Sequence, residues 1–552
     1  MNNQKIFFVV LATLLLFITS CSKSTDLSDA IPADATYIIH FDNHTLIEKS
    51  QYDIFQNPKI QQGVNFYKAF LNDPEKVNII DEFLKDPNSL GLDVKKDLYF
   101  YTNYKTYGIV LGVNNADKLR NAILKFLPVA EDDIQKSGDT YTLSPESMIT
   151  AAWDKNKFLL LVDMSSAYYA GSNKNGNTEP LDVKKQAEAQ LKQSSDKSIN
   201  SIKSFADFLK NRKDISIFYN MDGIENIFEM AGATSGIAMD KVLPLQQVAA
   251  EFKGVSMGMY TSFDMGDVKF AGEYYYDSPD TEKRFKELMS GMTGTISGDH
   301  LKYVSEGPLF MMASNMKGEG VYQYLARLGF LKLVDEQLSG AITSEQLEKL
   351  IKNVDGDFTF ALSNVKEETV KVDMADEDFF FEEGITHTIP EIMLFAEVKD
   401  PVFVKSFIQE QMDNGHVNYK EVAPSIFLIE EAYFKIYLGF HNNTFFATNI
   451  EAVYNNLDSQ DLKNNYSNQI NNKMAFLTGN LQPLKPYLEE SRTASMFTGF
   501  LDELGQYEMT TSKDDFSAQG KFEFKTKDKN SLAVICQQID SMISNARTPM
   551  GF

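Results

Sequence analysis

The sequence predicts an α+β protein of two similar domains, each an antiparallel or mixed sheet with helices packed on it. Three observations lead there. A strand–helix order recurs in two halves of the chain. Many apolar stretches alternate with period two, the pattern of strands with one covered face. The helices follow strands without a regular strand–helix–strand series, so a purely parallel sheet is disfavoured.

The recurrence is legible element by element. Residues 37–41 open the first half and 309–313 the second. Residues 95–103 match 356–364, and both alternate into an asparagine, Asn103 or Asn364, that suits a turn. A strand over 109–113 then leads to Asp117 and a helix over 118–127. Its counterpart over 392–398 leads to Asp400-Pro401 and a helix over 402–412. An acid just ahead of a helix can cap it, and Pro401 suits a first turn. Strand 158–163 matches 444–449, and 215–220 matches 474–480. Finally 272–276 matches 520–524, each followed by an amphipathic helix. Six matches in one order, roughly 250 to 290 residues apart, point to an internal duplication. The Gly-, Ser- and Thr-rich stretch 290–299 reads as the join. The expected domains are therefore 31–290 and 300–552.

The first thirty residues read differently. Lys5 precedes an apolar run over 6–18, broken only by Thr13. That is short for a membrane span and has the length of a signal-peptide core. It ends in Ile18-Thr19-Ser20-Cys21, which resembles the bacterial lipobox. The resemblance implies a signal peptide over 1–20, diacylglycerol on the Cys21 thiol, and Cys21 as the mature N-terminus. Residues 21–30 read as a short polar tether.

The net charge of −24 opposes nucleic acid and anionic lipid heads alike. An attached lipid, not surface charge, would then hold the protein at a membrane. With Cys21 acylated, Cys536 is left alone and no intramolecular disulfide can form. Cys536 lies in an apolar helical run and reads as a buried, inert thiol.

Chemistry-bearing motifs are sparse. Gly254-Val255-Ser256-Met257-Gly258 fits G-x-S-x-G, but that motif needs a strand, a sharp turn and then a helix. Here a helix-like stretch comes first and Ser256 opens a strand, so Ser256 does not read as a nucleophile. His40 and His44 flank Asp42, but this is a strand-to-helix turn in which Asp42 or Asn43 caps the helix. His300, His387, His416 and His441 are scattered beside turn residues and read as exposed. No phosphate loop, dinucleotide fingerprint or paired zinc motif occurs. The sequence assigns no catalytic, metal or cofactor-binding residue.

With the lipobox, the opening Ile31-Pro32-Ala33-Asp34-Ala35 and the strand–helix order, the whole mature chain resembles a large family of Bacteroidetes envelope lipoproteins classed as a domain of unknown function. The resemblance implies an exported lipoprotein and supplies no catalytic residues. Surface-displayed members of that group often carry an acidic cluster directly behind the cysteine. Here the nearest acid is Asp26, which implies an outer-membrane lipoprotein facing the periplasm, with surface display left open.

The reading is a membrane-tethered, non-catalytic binding or assembly protein of the cell envelope. The alternatives are an envelope hydrolase whose site is assembled from distant residues, or a carrier of an apolar ligand. The place to look for a protein partner is where the halves differ. The second half carries about 22 extra residues between two matched strands. They include Asp376, Asp378, Phe379, Phe380, Phe381 and Glu382. Three consecutive Phe cannot share one sheet face, so 373–384 is the candidate partner-binding loop. The first half has its own excess over 163–214, which reads as a turn plus a surface helix.

Overall fold

The computed structural model describes residues 26–545, apart from 54–55, 72, 165–180, 226–244, 331–342, 371–384, 416, 431–433, 460–461 and 490–497. The expected signal peptide, Cys21 and loop residues 376–382 lie outside the described residues. The chain forms two compact units. Unit 2 is Lys286–Lys525, and unit 1 takes the residues before and after it.

Unit 1 is built on β1 (Tyr37–Phe41), β2 (Leu98–Thr102), β3 (Thr106–Val113), β4 (Ile134–Ser137), β5 (Thr140–Glu146), β6 (Ile149–Trp153), β7 (Lys157–Asp163), β8 (Ile215–Asn220), β9 (Val255–Asp264) and β10 (Asp267–Tyr276). Every pairing is antiparallel, in the spatial order β4-β5-β6-β7-β3-β2-β1-β8-β9-β10. A two-residue strand, Leu92–Asp93, adds to the end of β3.

Unit 2 has β11 (Phe310–Lys317), β12 (Val354–Val370), β13 (Ile385–Val398), β14 (Tyr419–Ala423), β15 (Ile426–Glu430), β16 (Lys435–His441), β17 (Thr444–Thr448), β18 (Lys473–Asn480), β19 (Leu504–Ser512) and β20 (Ala518–Phe524). Its order is β14-β15-β16-β17-β13-β12-β11-β18-β19-β20, again antiparallel throughout. Each strand thus takes the sheet position of the strand numbered ten lower in unit 1. The sequence left antiparallel and mixed sheets open; both sheets are antiparallel.

The unit 1 sheet is covered on both faces, where alternation had suggested one. One face buries Ile38, Tyr101, Val110, Leu159, Leu161 and Phe218. The other buries Leu98, Leu111, Leu143, Trp153, Phe158 and Leu160. That is why β7 reads Phe-Leu-Leu-Leu without a polar break: its alternate residues serve two cores. On the first face lie α5 (Val183–Lys192) and α6 (Lys203–Asn211). On the second lie α3 (Pro74–Lys85), through Phe83, and α4 (Ala116–Phe126), through Leu119. The carbonyl of Ala116 accepts the indole N–H of Trp153 at 3.2 Å. The helix α5, expected at the surface, packs Val183, Ala187 and Leu191 into the first core at a spacing of one helical turn.

Residues 27–30 and 531–545 are folded into unit 1 where tether and second domain were expected. Residues 27–30 form a 3-10 turn capped by Asp26, and Leu27 and Ala30 sit in the first core. Any flexible link to Cys21 is therefore shorter than the expected 21–30. At the other end, α8 (Ser531–Asn545) belongs to unit 1, not to the expected second domain. Gly266 turns β9 into β10 at φ +70° and donates its N–H to the Lys529 carbonyl. Ser531 donates to the Asp267 carbonyl at 2.8 Å, and Ala533 and Val534 are buried. Cys536 on this helix is half-buried, and burial pushes its thiol pKa up.

The stretch read as a linker is integral to unit 2. Ile296 is buried, and its N–H bonds the Lys473 carbonyl. Among the described residues, no helix is long and apolar enough to cross a membrane.

Candidate functional site

The register locates an aspartate at the same point in each sheet. Phe41 pairs with Leu98 in unit 1, and Ser314 with Phe358 in unit 2. Asp97 and Asp357 each precede that pair by one residue, an offset of 260, one less than that of the sequence match of 95–103 with 356–364.

In unit 1, Asp97 sits between a histidine and an arginine. Its Oδ2 lies 3.1 Å from His40 Nε2 and 3.3 Å from Arg212 Nη1. His40 is 1% exposed, and its ring packs 4.9 Å from that of Tyr99. Its N–H direction misses good hydrogen-bond geometry, so the contact with Asp97 is chiefly electrostatic. Burial alone would raise the Asp97 carboxyl pKa. Contact with His40 and the charge of Arg212 outweigh it and leave the group below its ordinary value. His40 and His44 do not converge on a metal. His44 lies along α1 (Asn43–Ser50), 3.5 Å from Glu48, while Asp42 caps that helix at Thr45.

In unit 2, Asp357 is 1% exposed and held without cations. Its Oδ2 accepts the N–H groups of Ser297 and Gly298 and the Ser297 hydroxyl, each at 2.8 Å. Its Oδ1 accepts Asn315 Nδ2 at 2.8 Å. Glu397 lies alongside and accepts the Asp357 N–H at 2.9 Å. A Cβ at residue 356 would collide with the Glu397 carboxylate, which is why Gly356 stands there at φ +133°. Burial pushes the Glu397 pKa up, and neighbouring Asp357, Asp299 and Asp355 add to the effect.

His300, expected to be exposed, is 5% exposed and stacks on Phe395. Its Nε2 lies 3.3 Å from Thr444 Oγ1 and 3.9 Å from Glu397 Oε1. Burial lowers its pKa, so the neutral ring is favoured. Hydroxyl and carboxylate both face one ring nitrogen, and Nδ1 meets no partner among the described residues. A hydrolytic triad instead needs the carboxylate on the opposite nitrogen from the nucleophile. Ser256 is also remote from such chemistry: it is 3% exposed within β9 and donates to the Ser204 hydroxyl at 3.1 Å.

Beside the Asp357 clamp lies a cavity of about 320 Å³. One wall is Thr295, Ile296 and Ser297; the other is Ser467, Asn468, Ile470, Asn471 and Asn472. Asn464 Nδ2 donates to the Gly298 carbonyl and joins the walls. The side chains of Ser297 and Asn472 are occupied with Asp357 and Asp514. Thr295, Ser467, Asn468 and Asn471 present the remaining hydroxyls and amides. All are neutral hydrogen-bonding groups, suited to binding a polar ligand and not to activating one. Sequence reading missed this site. The signals were Gly356-Asp357 in the repeat and the run of asparagines over 464–472.

A family model described as "Domain of unknown function (DUF4836)" matches residues 28–532. No curated protein matches the chain. Among solved structures, one titled "Structure of crystal form III of TP0453" aligns with 48% of this chain and 86% of its own, at 8% identity and a TM-score of 0.19. A likeness that slight carries no argument about fold or function.

Proposed function

The chain belongs to the DUF4836 domain family, and from that premise we propose that it is a membrane-tethered envelope lipoprotein that works by binding. One observation carries the reading: an apolar run over 6–18 leads into Ile18-Thr19-Ser20-Cys21, only five residues before Asp26, which caps the first turn of unit 1. An acylated Cys21 would hold unit 1 within about 18 Å of the lipid surface. The neutral cavity of unit 2 supports a binding role. The shared strand order of the two sheets supports an internal duplication. The proposed location is the outer membrane, facing the periplasm.

The partner loop remains part of this reading. Beyond Leu362 and Ile392, β12 and β13 continue as a two-stranded ribbon to Val370 and Ile385. Part of the extra length of the second half is this ribbon, and the chain between its strands includes Phe379, Phe380 and Phe381. The test of the tether is metabolic labelling with a fatty-acid analogue. Wild-type chain should take up label and Cys21→Ala should not; equal label on both would refute acylation at Cys21.

A further inference from the structure

The helix α2 (Pro58–Phe70) of unit 1 is inverted relative to an ordinary surface helix. Ile60, Val64 and Lys68 lie on its half-buried side, and no residue in it is fully buried. Its largest apolar side chains face outward. Phe66 is 66% exposed, Phe70 68% and Tyr67 48%. Phe66 and Phe70, one turn apart, touch edge to face with ring centroids 4.6 Å apart. Gly63, on the same side, has open space above it. The helix is firmly mounted all the same. Asn57 caps it at Lys59 and Ile60 and also bonds Ser544 of α8.

Water is an unfavourable neighbour for paired Phe rings, so this face calls for a cover. Its position suggests which one. The described chain starts at Asp26, and Asp29 lies 3.8 Å from Lys157, whose partner Gly112 is two residues from the Val110–Tyr99 pair. Tyr99 pairs with His40, at the end of β1 from which α1 and then α2 emerge. The tether and α2 therefore leave the sheet at the same end. The helix carries no acid, and its Lys68 turns inward to pair with Asp81, so its exposed residues are all uncharged. Exposed aromatic rings on an uncharged helix face are what the headgroup boundary of a bilayer accepts.

We propose that Phe66, Tyr67 and Phe70 of α2 insert into the interface of the bilayer to which Cys21 is tethered, fixing the orientation of unit 1 on the membrane. The shared bilayer rests on the lipoprotein reading; the affinity of α2 for phospholipid does not. The test uses the mature chain from Ser22, made without acyl groups, and vesicles of zwitterionic phosphatidylcholine. The chain should bind them, and Phe66→Ser with Phe70→Ser should lower the partition coefficient at least about tenfold while the thermal melt stays unchanged. A second variant guards against a folding artefact. The single native tryptophan, Trp153, is fully buried, so Phe70→Trp adds an exposed reporter. Its emission should shift to the blue on vesicles and be quenched by brominated lipid. Equal partition of wild type and the double variant, or an unshifted reporter, would overturn the proposal. So would self-association in the absence of lipid that the double variant abolishes, because the cover would then be a second copy of the chain. Vesicle binding without fatty-acid label on Cys21 in cells would refute the tether and leave α2 as a lipid-binding helix.

Discussion

Unit 1 and unit 2 run their strands in the same order and set an aspartate at the same point, yet satisfy it in opposite ways. Asp97 meets the ring of His40 and the charge of Arg212. Asp357 meets four neutral donors, three of them from Ser297 and Gly298. The strand order follows from apolar patterning, which tolerates many polar outcomes at a strand's end. The polar outcome then decides how each unit responds to pH and salt. A carboxylate held by cations is stabilised by charge and is sensitive to both. A carboxylate held by amides and hydroxyls depends on the exact path of the segment that supplies them.

The largest way to break the comparison is to end the chain at Lys525. If α8 is part of unit 1, the loss should fall there, at about 5 kcal/mol for the buried side chains removed. Unit 2 should keep its melting transition. Proteolysis during a thermal ramp, with fragments identified by mass, separates the two units. A loss confined to unit 2 would restore the simple division at 290–300.

Next is the aspartate itself. Asp357→Ala leaves Ser297 N–H, Gly298 N–H and Asn315 buried without their acceptor and should cost roughly 3 to 5 kcal/mol. Asp97→Ala should cost about 1 kcal/mol, because its pair is partly exposed and solvent screens it. Urea melts of the two variants give both values. Equal costs would mean that the neutral clamp and the cationic cluster are energetically alike, against the reading above.

A smaller effect sharpens the contrast through pH. The Asp97 pKa is lowered by folding, so its stabilisation is present above the ordinary carboxylate value and is lost as pH falls through the folded one. In unit 2 two groups oppose each other. The His300 pKa is lowered, so acid begins to destabilise the fold as pH drops below the ordinary 6.5, where only the unfolded chain takes up the proton. The Glu397 pKa is raised, so its contribution is full below the ordinary 4.5 and is lost as pH rises through the folded value. Between those two ordinary values the slopes partly cancel. His300→Gln should remove the acid-destabilising slope and leave the Glu397 slope visible in melts taken from pH 4 to 7, the test range. An unchanged profile would mean that His300 titrates alike in both states.

Much of the scaffold was legible, and the reasons are local. All six matched segments are strands in equivalent sheet positions, because period-two patterning and the turn at Asn103 are encoded within a few residues. What escaped reading depends on distant partners. An amphipathic helix such as α8 looks the same whichever core receives it. His300 follows Gly298-Asp299 and resembles a loop residue; only Phe395 and Thr444, about a hundred residues away or more, bury it. The turn over 27–30 offers just Leu27 and Ala30 as apolar signals within a polar stretch. The cavity arises from two segments, 295–297 and 467–472, that no local pattern connects.

The last prediction concerns the place where the two sheets differ most and should have the least effect on stability. In unit 1, β2 and β3 are joined by Asn103, Tyr104 and Lys105, and Asn103 accepts the Thr106 N–H to close the turn. In unit 2 the same two strands run to Val370 and Ile385 before joining. From Val365 to Val370 and from Ile385 to Pro390 they pair with each other, past the last pairings of their outer neighbours at Leu362 and Met393. Among the described side chains of this ribbon only Ile389 is buried, so its length calls for another explanation. The chain between its two strands includes Phe379, Phe380 and Phe381, with Asp376, Asp378 and Glu382 beside them in sequence. Such a combination suits a partner with an apolar pocket and a basic rim. Deleting 373–384 and closing the ribbon with Asn-Gly should change the melting temperature by less than about 2 °C, since every described pairing of β12 and β13 is kept. Crosslinking in cells should then lose one or more protein adducts of the wild-type chain. An unchanged adduct pattern from a normally melting deletion would remove the loop as a docking element and leave the cavity of unit 2 as the place where the two units differ in function.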